Sequence, residues 1–500
     1  MTSRWSVRAA GGMCADKPMS NRPDRSPASH SSPPRSEPRR GSSSVPRFDP
    51  DLAFGLLLWA FILAGMALRL WSLDAMEFKA DEFDHMVGAY RAAIDPWSAP
   101  LLVGEGTDVS PGVFYFQLLA LPVSITQDPV WVARFIALLN VAAIPALFLL
   151  VRQFFTSRIA LWATALFATS PWMIIFSRKI WNPDLVVPFL VVTLWCLFSA
   201  MRRYASWKAV AFAFALALLS QLHLSVWVAL FPLLPLGLLF RPWGRPFALA
   251  GGVVTFIATF LVTLGTRTGQ FLTAFTGPSA TEPDLGMTLP QLAAYNVSWS
   301  IRVPSGFGFG SLLGHDGYAS FAEHAVVPWT RPVFSLYVVL GAAGLALVMV
   351  RMVQSARRRS IDVPDRIVLT LLLMAVSAHA LYIAFRVAAH PHYHVVLSLL
   401  PPILLALFLA WMSDHLRTVG ALIARTLLII VLAGDVWFGF SFLSFVRTRP
   451  DAIDGSYGKP YFVEQRRWSR GLEEAFLCIE RRERTDARGV PADACRRMVP

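Results

Sequence analysis

Uncharged apolar runs of about 18–22 residues recur along most of this 500-residue chain, and each is long enough to cross a ~30 Å hydrocarbon core as a helix. A chain built this way has little freedom. In lipid every backbone amide must be paired inside the structure, so the runs fold as helices and bundle together. Composition agrees where it bears on the point: only 15% of residues are charged, 55% are hydrophobic, and the mean hydropathy is +0.51. The 17 Trp and 36 Phe suit aromatic belts at two water–lipid boundaries. A soluble protein of this length divides into domains with polar surfaces. The expected class is an all-α polytopic membrane protein.

About eleven spanning helices are expected, near 52–71, 130–151, 158–177, 185–201, 207–222, 224–240, 247–265, 333–351, 367–386, 393–412 and 420–444. The stretch 112–125 (GVFYFQLLALPVSI) is short and contains Pro122, so it reads as an interfacial helix lying flat. With that choice "VRQFFTSR", "MRRYASWK", "RPWGRP" and "VQSARRRSIDVPDR" all fall on one side with the basic N-terminal region, which the positive-inside rule makes cytoplasmic. Residues 1–47, rich in Ser, Pro and Arg, read as a disordered cytoplasmic tail. Residues 48–446 form the transmembrane domain, with long outer loops at 72–129 and 266–332, and 447–500 form an extracytoplasmic tail.

The net charge of +13 raises nucleic acid as a partner, but the basic residues lie in the tails and in short loops. No basic domain with interleaved aromatics is present, so no nucleic acid is expected; membrane lipids and topology account for the charge. Cys14 and Cys196 read as free thiols, whereas Cys478 and Cys495 share the outer tail, where a disulfide can form. Asn296-Val-Ser298 matches a glycosylation sequon that is common by chance.

Chemistry-bearing residues gather on the outer side. "KADEFDHMVGAY" places Asp81, Glu82, Asp84 and His85 just beyond the first apolar run. On a helix Asp81 shares a face with Asp84 and His85, and a carboxylate crowded by like charges at a membrane surface makes a general base. The plainer reading is a solvated acidic loop. "FSRKIWNPDL" sets Arg178 and Lys179, cations on the side that the topology rule disfavours, ahead of Asp184. They point to an anionic partner such as a lipid phosphate, while Asn182-Pro183 with Asp184 also reads as a turn and a helix cap. "FRVAAHPHYHVV" carries Arg386, His390, His392, Tyr393 and His394, which fits phosphate contact, interfacial anchoring or, less well, a metal, since strict alternation puts the imidazoles on different faces. No metal site and no cofactor is expected. No phosphate-binding loop or dinucleotide fingerprint occurs, so a donor on the outer side would be something other than a nucleotide.

These pieces in this order resemble the GT-C class of membrane glycosyltransferases, specifically the family of protein O-mannosyltransferases and aminoarabinose transferases. The segments that carry the resemblance are "ADEFDHMVGAYRAAIDPW", "SPGVFYFQLLALP", "PVWVARFIALLNVAAIPALFLLVRQFF", "LFATSPWMIIFSRKIWNPDLVVPFLVV" and "HPHYHVVLSLLPPILLAL". It covers residues 52–240 well and the remainder loosely, and Val109-Ser110-Pro111 departs from the family pattern. The resemblance implies a GT-C-type bundle with extracytoplasmic juxtamembrane helices. It also implies an enzyme of the cell (inner or plasma) membrane that moves a sugar from a polyprenyl-phosphate carrier to a lipid, glycan or protein acceptor on the outer face. Asp81 matches the family's acidic position, thought to act as base, with Glu82 completing the pair, and Asp184 matches its second aspartate. A lipid-linked glycan flippase is the alternative; it would place ionisable residues near the bilayer midplane, whereas here they cluster at span ends.

Overall fold

The computed structural model describes residues 50–96, 112–203, 205–230, 246–264, 286–305, 308–325, 330–358 and 361–484. Residues 50–500 form one compact unit. The expected tail 1–47, Cys14, Cys495 and the loop stretches 97–111 and 265–285 lie outside the described residues.

The described chain is helical. In order come α1 (Pro50–Leu70), α2 (Ala80–Ile94), α3 (Val113–Val123), α4 (Pro129–Arg152), α5 (Ser157–Thr169), α6 (Pro171–Ile175), α7 (Val186–Arg202), α8 (Ser206–Leu219) and α9 (Leu224–Leu230). Then follow α10 (Pro246–Leu264), α11 (Leu289–Ser305), α12 (Gly310–Leu313), α13 (His315–His324), α14 (Thr330–Arg357), α15 (Val363–Ala384), α16 (Leu400–His415), α17 (Arg417–Thr448) and α18 (Tyr461–Arg484). Among the described residues there is no β-strand, only an isolated antiparallel bridge between Glu77 and Pro460.

Six of the described helices are long and apolar enough to cross a membrane, and a seventh if the turn Pro391–Leu397 and α16, bent by 52°, make one broken span. The protein is a multi-pass membrane protein. Each expected span has described residues in a helix, 158–177 and 393–412 each being divided and 231–240 lying outside the described residues, and 112–125 is the short helix α3.

One expected span is revised. The run 158–177 is not one helix but α5 and α6, broken at Ser170 (φ −52°, ψ 120°). Pro171 is the cause: its ring excludes helical backbone from the residue before it. Helix α5 is buried nearly all round, with Trp162, Leu166 and Phe167 in the core, and packs against α1, α4 and α16. Its approach to α1 depends on Gly65, where a Cβ would sit 2.2 Å from the carbonyl oxygen of Ala168. Arg69 of α1 closes that seam by donating to the carbonyls of Gly65 (2.8 Å) and Ala168 (2.5 Å).

At the end of the bundle where α1 stops, α2 and α3 pack together and the C-terminal segment folds over them. Residues read from sequence as a tail form α18, whose Tyr461, Trp468, Leu472, Ala475, Phe476 and Ile479 are buried at helical spacing. They meet α2 and its lead-in: Trp468 lies 5.3 Å from Phe78 and 6.0 Å from Phe83, and Phe476 stacks on Tyr90 at 4.2 Å. Cys478 is disulfide-bonded; Cys495, the partner expected for it, lies outside the described residues. The sequon at Asn296 has a structural use instead. Its side chain is buried, donates to the Val387 carbonyl (2.9 Å) and accepts from the Ala389 amide (2.8 Å), stapling the turn before Pro391.

Candidate active site

Helix α2 begins where the extended Lys79 hands over to Ala80, and Glu82 caps it by accepting from the Lys79 backbone N–H at 2.9 Å. This settles which way each acidic side chain faces. Asp81 is exposed at the first turn, where the helix dipole favours a carboxylate, whereas Glu82 is only 1% exposed.

Beneath Glu82 stands Lys179. Its ammonium lies 2.9 Å from Glu77 Oε2 and 3.6 Å from Glu82 Oε1, and it sits 3.7 Å over the ring of Trp181. Lys79 pairs with the other oxygen of Glu77. Burial by itself lowers the proton affinity of Lys179, but Glu77, then Glu82 and Asp184, hold it above its ordinary value. Burial pushes the Glu82 carboxyl up to about 7, against the opposing pull of Lys179.

His85, one turn on, is buried as well. Its Nδ1 lies 3.0 Å from the Ile180 carbonyl and 3.1 Å from the Tyr115 hydroxyl. A carbonyl only accepts, so Nδ1 carries the proton and Nε2 is left as the basic nitrogen. Burial lowers the pKa of His85 to about 4. Burial first, and then the charges of Asp184, Glu82 and Asp81, push the Tyr115 hydroxyl well above its ordinary value.

Asp184 is 1% exposed, with the backbone N–H of Lys179 turned toward its carboxylate. Its backbone carbonyl is held by Asn140 at 2.9 Å. A buried carboxylate among Lys179, Glu82 and Tyr115 is costly to keep.

The histidine stretch arrives from the other side of Trp181. The ring of His392 lies 4.4 Å from Trp181, with Tyr393 and His390 4.5 Å and 5.7 Å from His392. His223, just ahead of α9, stands 5.5 Å from His392 and 5.1 Å from Tyr393. The structure thus gathers Asp81, Glu82, Asp184, Lys179, His390, His392 and Tyr393 at one end of the bundle.

Arg178 and Arg386 fare differently. Arg178 is 2% exposed and donates to the carbonyls of Leu68 (2.5 Å) and Ser72 (2.8 Å), so it caps the end of α1. Arg386 is exposed in the turn after α15 with a left-handed backbone (φ 56°). Sequence reasoning missed Glu77, Lys79, Tyr115 and Trp181. The cations at 178–179 point to an anionic partner such as a lipid phosphate, and in the structure the anions that Lys179 meets are Glu77 and Glu82. Among the described residues no three His, Cys, Asp or Glu side chains are arranged to hold a metal ion.

Comparison with known proteins adds the following. ArnT from Cupriavidus metallidurans, solved bound to undecaprenyl phosphate, is similar at 14% identity and a TM-score of 0.48, over 80% of this chain and 79% of that one. The oligosaccharyltransferase of Archaeoglobus fulgidus in complex with Zn and sulfate gives 19% identity and a TM-score of 0.46, over 76% of this chain and 53% of that one. AglB from Archaeoglobus fulgidus, in complex with an inhibitory peptide and a dolichol-phosphate, gives 15% and 0.47, over 79% and 56%. This chain spans about half the length of the archaeal enzymes. No curated protein matches it by sequence. Over residues 108–264, which supply Tyr115, Lys179, Trp181, Asp184 and His223 to the site, the chain matches the family of dolichyl-phosphate-mannose-protein mannosyltransferases.

Proposed function

We propose that this protein is a membrane glycosyltransferase that moves a sugar from a polyprenyl-phosphate carrier to an acceptor hydroxyl on the extracytoplasmic face, with Asp81 as general base. The observation that carries the reading is a coincidence of two findings. The segment that matches the mannosyltransferase family contributes Tyr115, Lys179 and Asp184; Lys179 meets Glu82 of α2, and Tyr115 meets His85 one turn on.

Asp81 is the carboxylate that an acceptor can reach. It takes the proton from the attacking hydroxyl as the new bond to the anomeric carbon forms; the bond from that carbon to the phosphate oxygen breaks, and the carrier leaves as polyprenyl phosphate. Such a base contributes about 10²–10⁴-fold. Glu82 and Lys179 hold the first turn of α2, and so the position of Asp81. Asp184, buried with Tyr115, acts on the position of Asp81 from behind, through Lys179. The leaving phosphate is met by Lys179 and by His390, His392 and Tyr393 around Trp181, with Arg386 at the rim; preformed cations and donors at that point stabilise the charge that develops. Arg178 supports the site from below instead of touching the donor. The outward orientation, with a cytoplasmic N-terminus, rests on the basic loops that fall together on the opposite side.

The test is a transfer assay with purified enzyme and a polyprenyl-phosphate-linked sugar. Asp81→Asn keeps size and most hydrogen bonding but cannot accept a proton, so turnover falls about 10²-fold or more while donor binding persists. Wild-type turnover in Asp81→Asn ends the base assignment, and absence of transfer by the wild-type protein with every lipid-linked sugar tried ends the glycosyltransferase reading.

A further inference from the structure

Glu77 is the nearer carboxylate to Lys179, yet it belongs to no helix. It lies between the short 3-10 turn Leu73–Ala75 and α2, in extended backbone that has no local hydrogen-bonding ladder of its own. What holds it is the far end of the chain. The Tyr457 hydroxyl donates to the Ala75 carbonyl at 2.6 Å, the Tyr461 amide donates to the Met76 carbonyl at 2.9 Å, and Lys79 donates to the Ser456 carbonyl at 2.6 Å. Glu77 itself pairs with Pro460 in the one isolated bridge among the described residues.

The holding segment is in turn held. Asp454, Ser456 and Tyr457 donate their amides to Leu313 (3.1 Å), Ser311 (3.0 Å) and Leu312 (2.8 Å). Tyr457 is 3% exposed, and its ring lies 5.7 Å from Phe442 of α17. Residues 454–461 are thus a strap between the outer segment 311–314 and the lead-in to α2.

Resting on the transfer reaction proposed above, we propose that Tyr457 is a positioning residue: by fixing the Ala75 carbonyl it sets the place of Glu77, and so how Lys179 divides its charge between Glu77 and Glu82. The two distances, 2.9 Å and 3.6 Å, put the ammonium nearer to Glu77. When the lead-in loosens, Glu77 withdraws and Lys179 is left to Glu82. Glu82 then holds its proton less tightly, because a repelling carboxylate has gone and the attracting ammonium remains. The first turn of α2, where Asp81 stands, shifts with the capping carboxylate. Nothing in this chain of effects requires Tyr457 to touch a substrate.

Tyr457→Phe keeps the ring and removes the hydroxyl. In the full-length protein we expect kcat to fall about tenfold with the donor KM within about twofold of wild type, and the fall of stability with rising pH that Glu82 causes to end at a lower pH. Tyr457→Phe combined with Glu77→Gln should be no worse than Glu77→Gln alone, since both act through one carboxylate. Amide hydrogen exchange gives a readout independent of activity: Tyr457→Phe speeds exchange over residues 76–83, whereas Tyr461→Phe, whose hydroxyl meets Ser469, does not. An unmoved pH dependence of stability, multiplying effects in the double variant, or unchanged exchange over residues 76–83 overturns the proposal. If the wild-type protein transfers no sugar, the glycosyltransferase reading fails, and the exchange experiment still decides whether Tyr457 holds the lead-in to α2.

Discussion

Lys179 and Glu77 form an ion pair at 2.9 Å with side chains only 7% and 5% exposed, and the second carboxylate, Glu82, is 1% exposed. A charge cluster this deep is costly to assemble and more costly to leave half-made.

Removing the cation should therefore hurt more than removing the cluster. Lys179→Met leaves two buried carboxylates facing each other, and a loss of about 3–5 kcal/mol is expected from breaking a buried pair. Adding Glu77→Gln to Lys179→Met should restore part of it. Thermal unfolding in detergent checks the order of the midpoints; a Lys179→Met midpoint equal to wild type would show that the cluster carries no stability.

The two buried titratable groups of α2 should pull the pH dependence of stability in opposite directions. Glu82 has its pKa raised to about 7 from 4.5, so between those values the folded state keeps a proton that the unfolded state has lost, and stability falls as pH rises. His85 has its pKa lowered to about 4 from 6.5, so between pH 4 and 6.5 the unfolded state binds the extra proton and stability rises with pH. Glu82→Gln should leave a curve that rises more steeply from pH 4 to 6.5 than that of wild type. His85→Gln should leave one that falls from pH 4.5 to 7. Parallel curves for both variants and wild type would contradict the buried settings of these two groups.

Trp181 lies between the cation and the histidines. Trp181→Leu takes away the face that Lys179 covers at 3.7 Å and the ring that His392 meets at 4.4 Å. A desolvated cation–π contact contributes up to about 2 kcal/mol, so the donor KM should rise by roughly tenfold, with a smaller change in kcat. Steady-state kinetics in nanodiscs measures the split. An unchanged KM would remove this end of the site from donor binding.

Arg178 should behave as a strut. Lysine offers one ammonium where the guanidinium reaches two carbonyls 2.5 Å and 2.8 Å away, so Arg178→Lys should lower the unfolding midpoint. Donor KM should stay near wild type. A large rise in KM at an unchanged midpoint would return Arg178 to the phosphate.

The spans were legible because lipid imposes one rule on every residue of a long apolar run. The grouping of Asp81, Glu82 and His85 was legible because it is local to one helix. The division of labour within it was not: the exposure of Asp81 and burial of Glu82 depend on Lys179 arriving from the loop after α6 and on α18 covering Phe78 and Phe83. Helix α18 hid behind its charge. Its many Arg and Glu residues read as a tail, although Trp468, Leu472, Ala475, Phe476 and Ile479 already stood at helical spacing. Tyr457 and Glu77 carry no local signal at all, since their relation exists only when the two ends of the chain meet. Arg178 was read by its charge and the side of the membrane it occupies, whereas the carbonyls it meets belong to the end of a helix distant in sequence.

The interruption at Ser170 sets a depth. Helix α5 has 13 residues and rises only about 20 Å, well short of a ~30 Å hydrocarbon layer. The chain that follows it, from Pro171 to Ile180, is buried throughout, so it turns inside the protein and not at its surface. Lys179 and Trp181 are delivered at that level. In the transfer reaction proposed above, a carrier whose isoprenoid tail stays dissolved among acyl chains would present its phosphate to them by sliding sideways. On that proposal the protein would not have to lift the lipid toward water, and the energy of extracting an isoprenoid chain would not be spent.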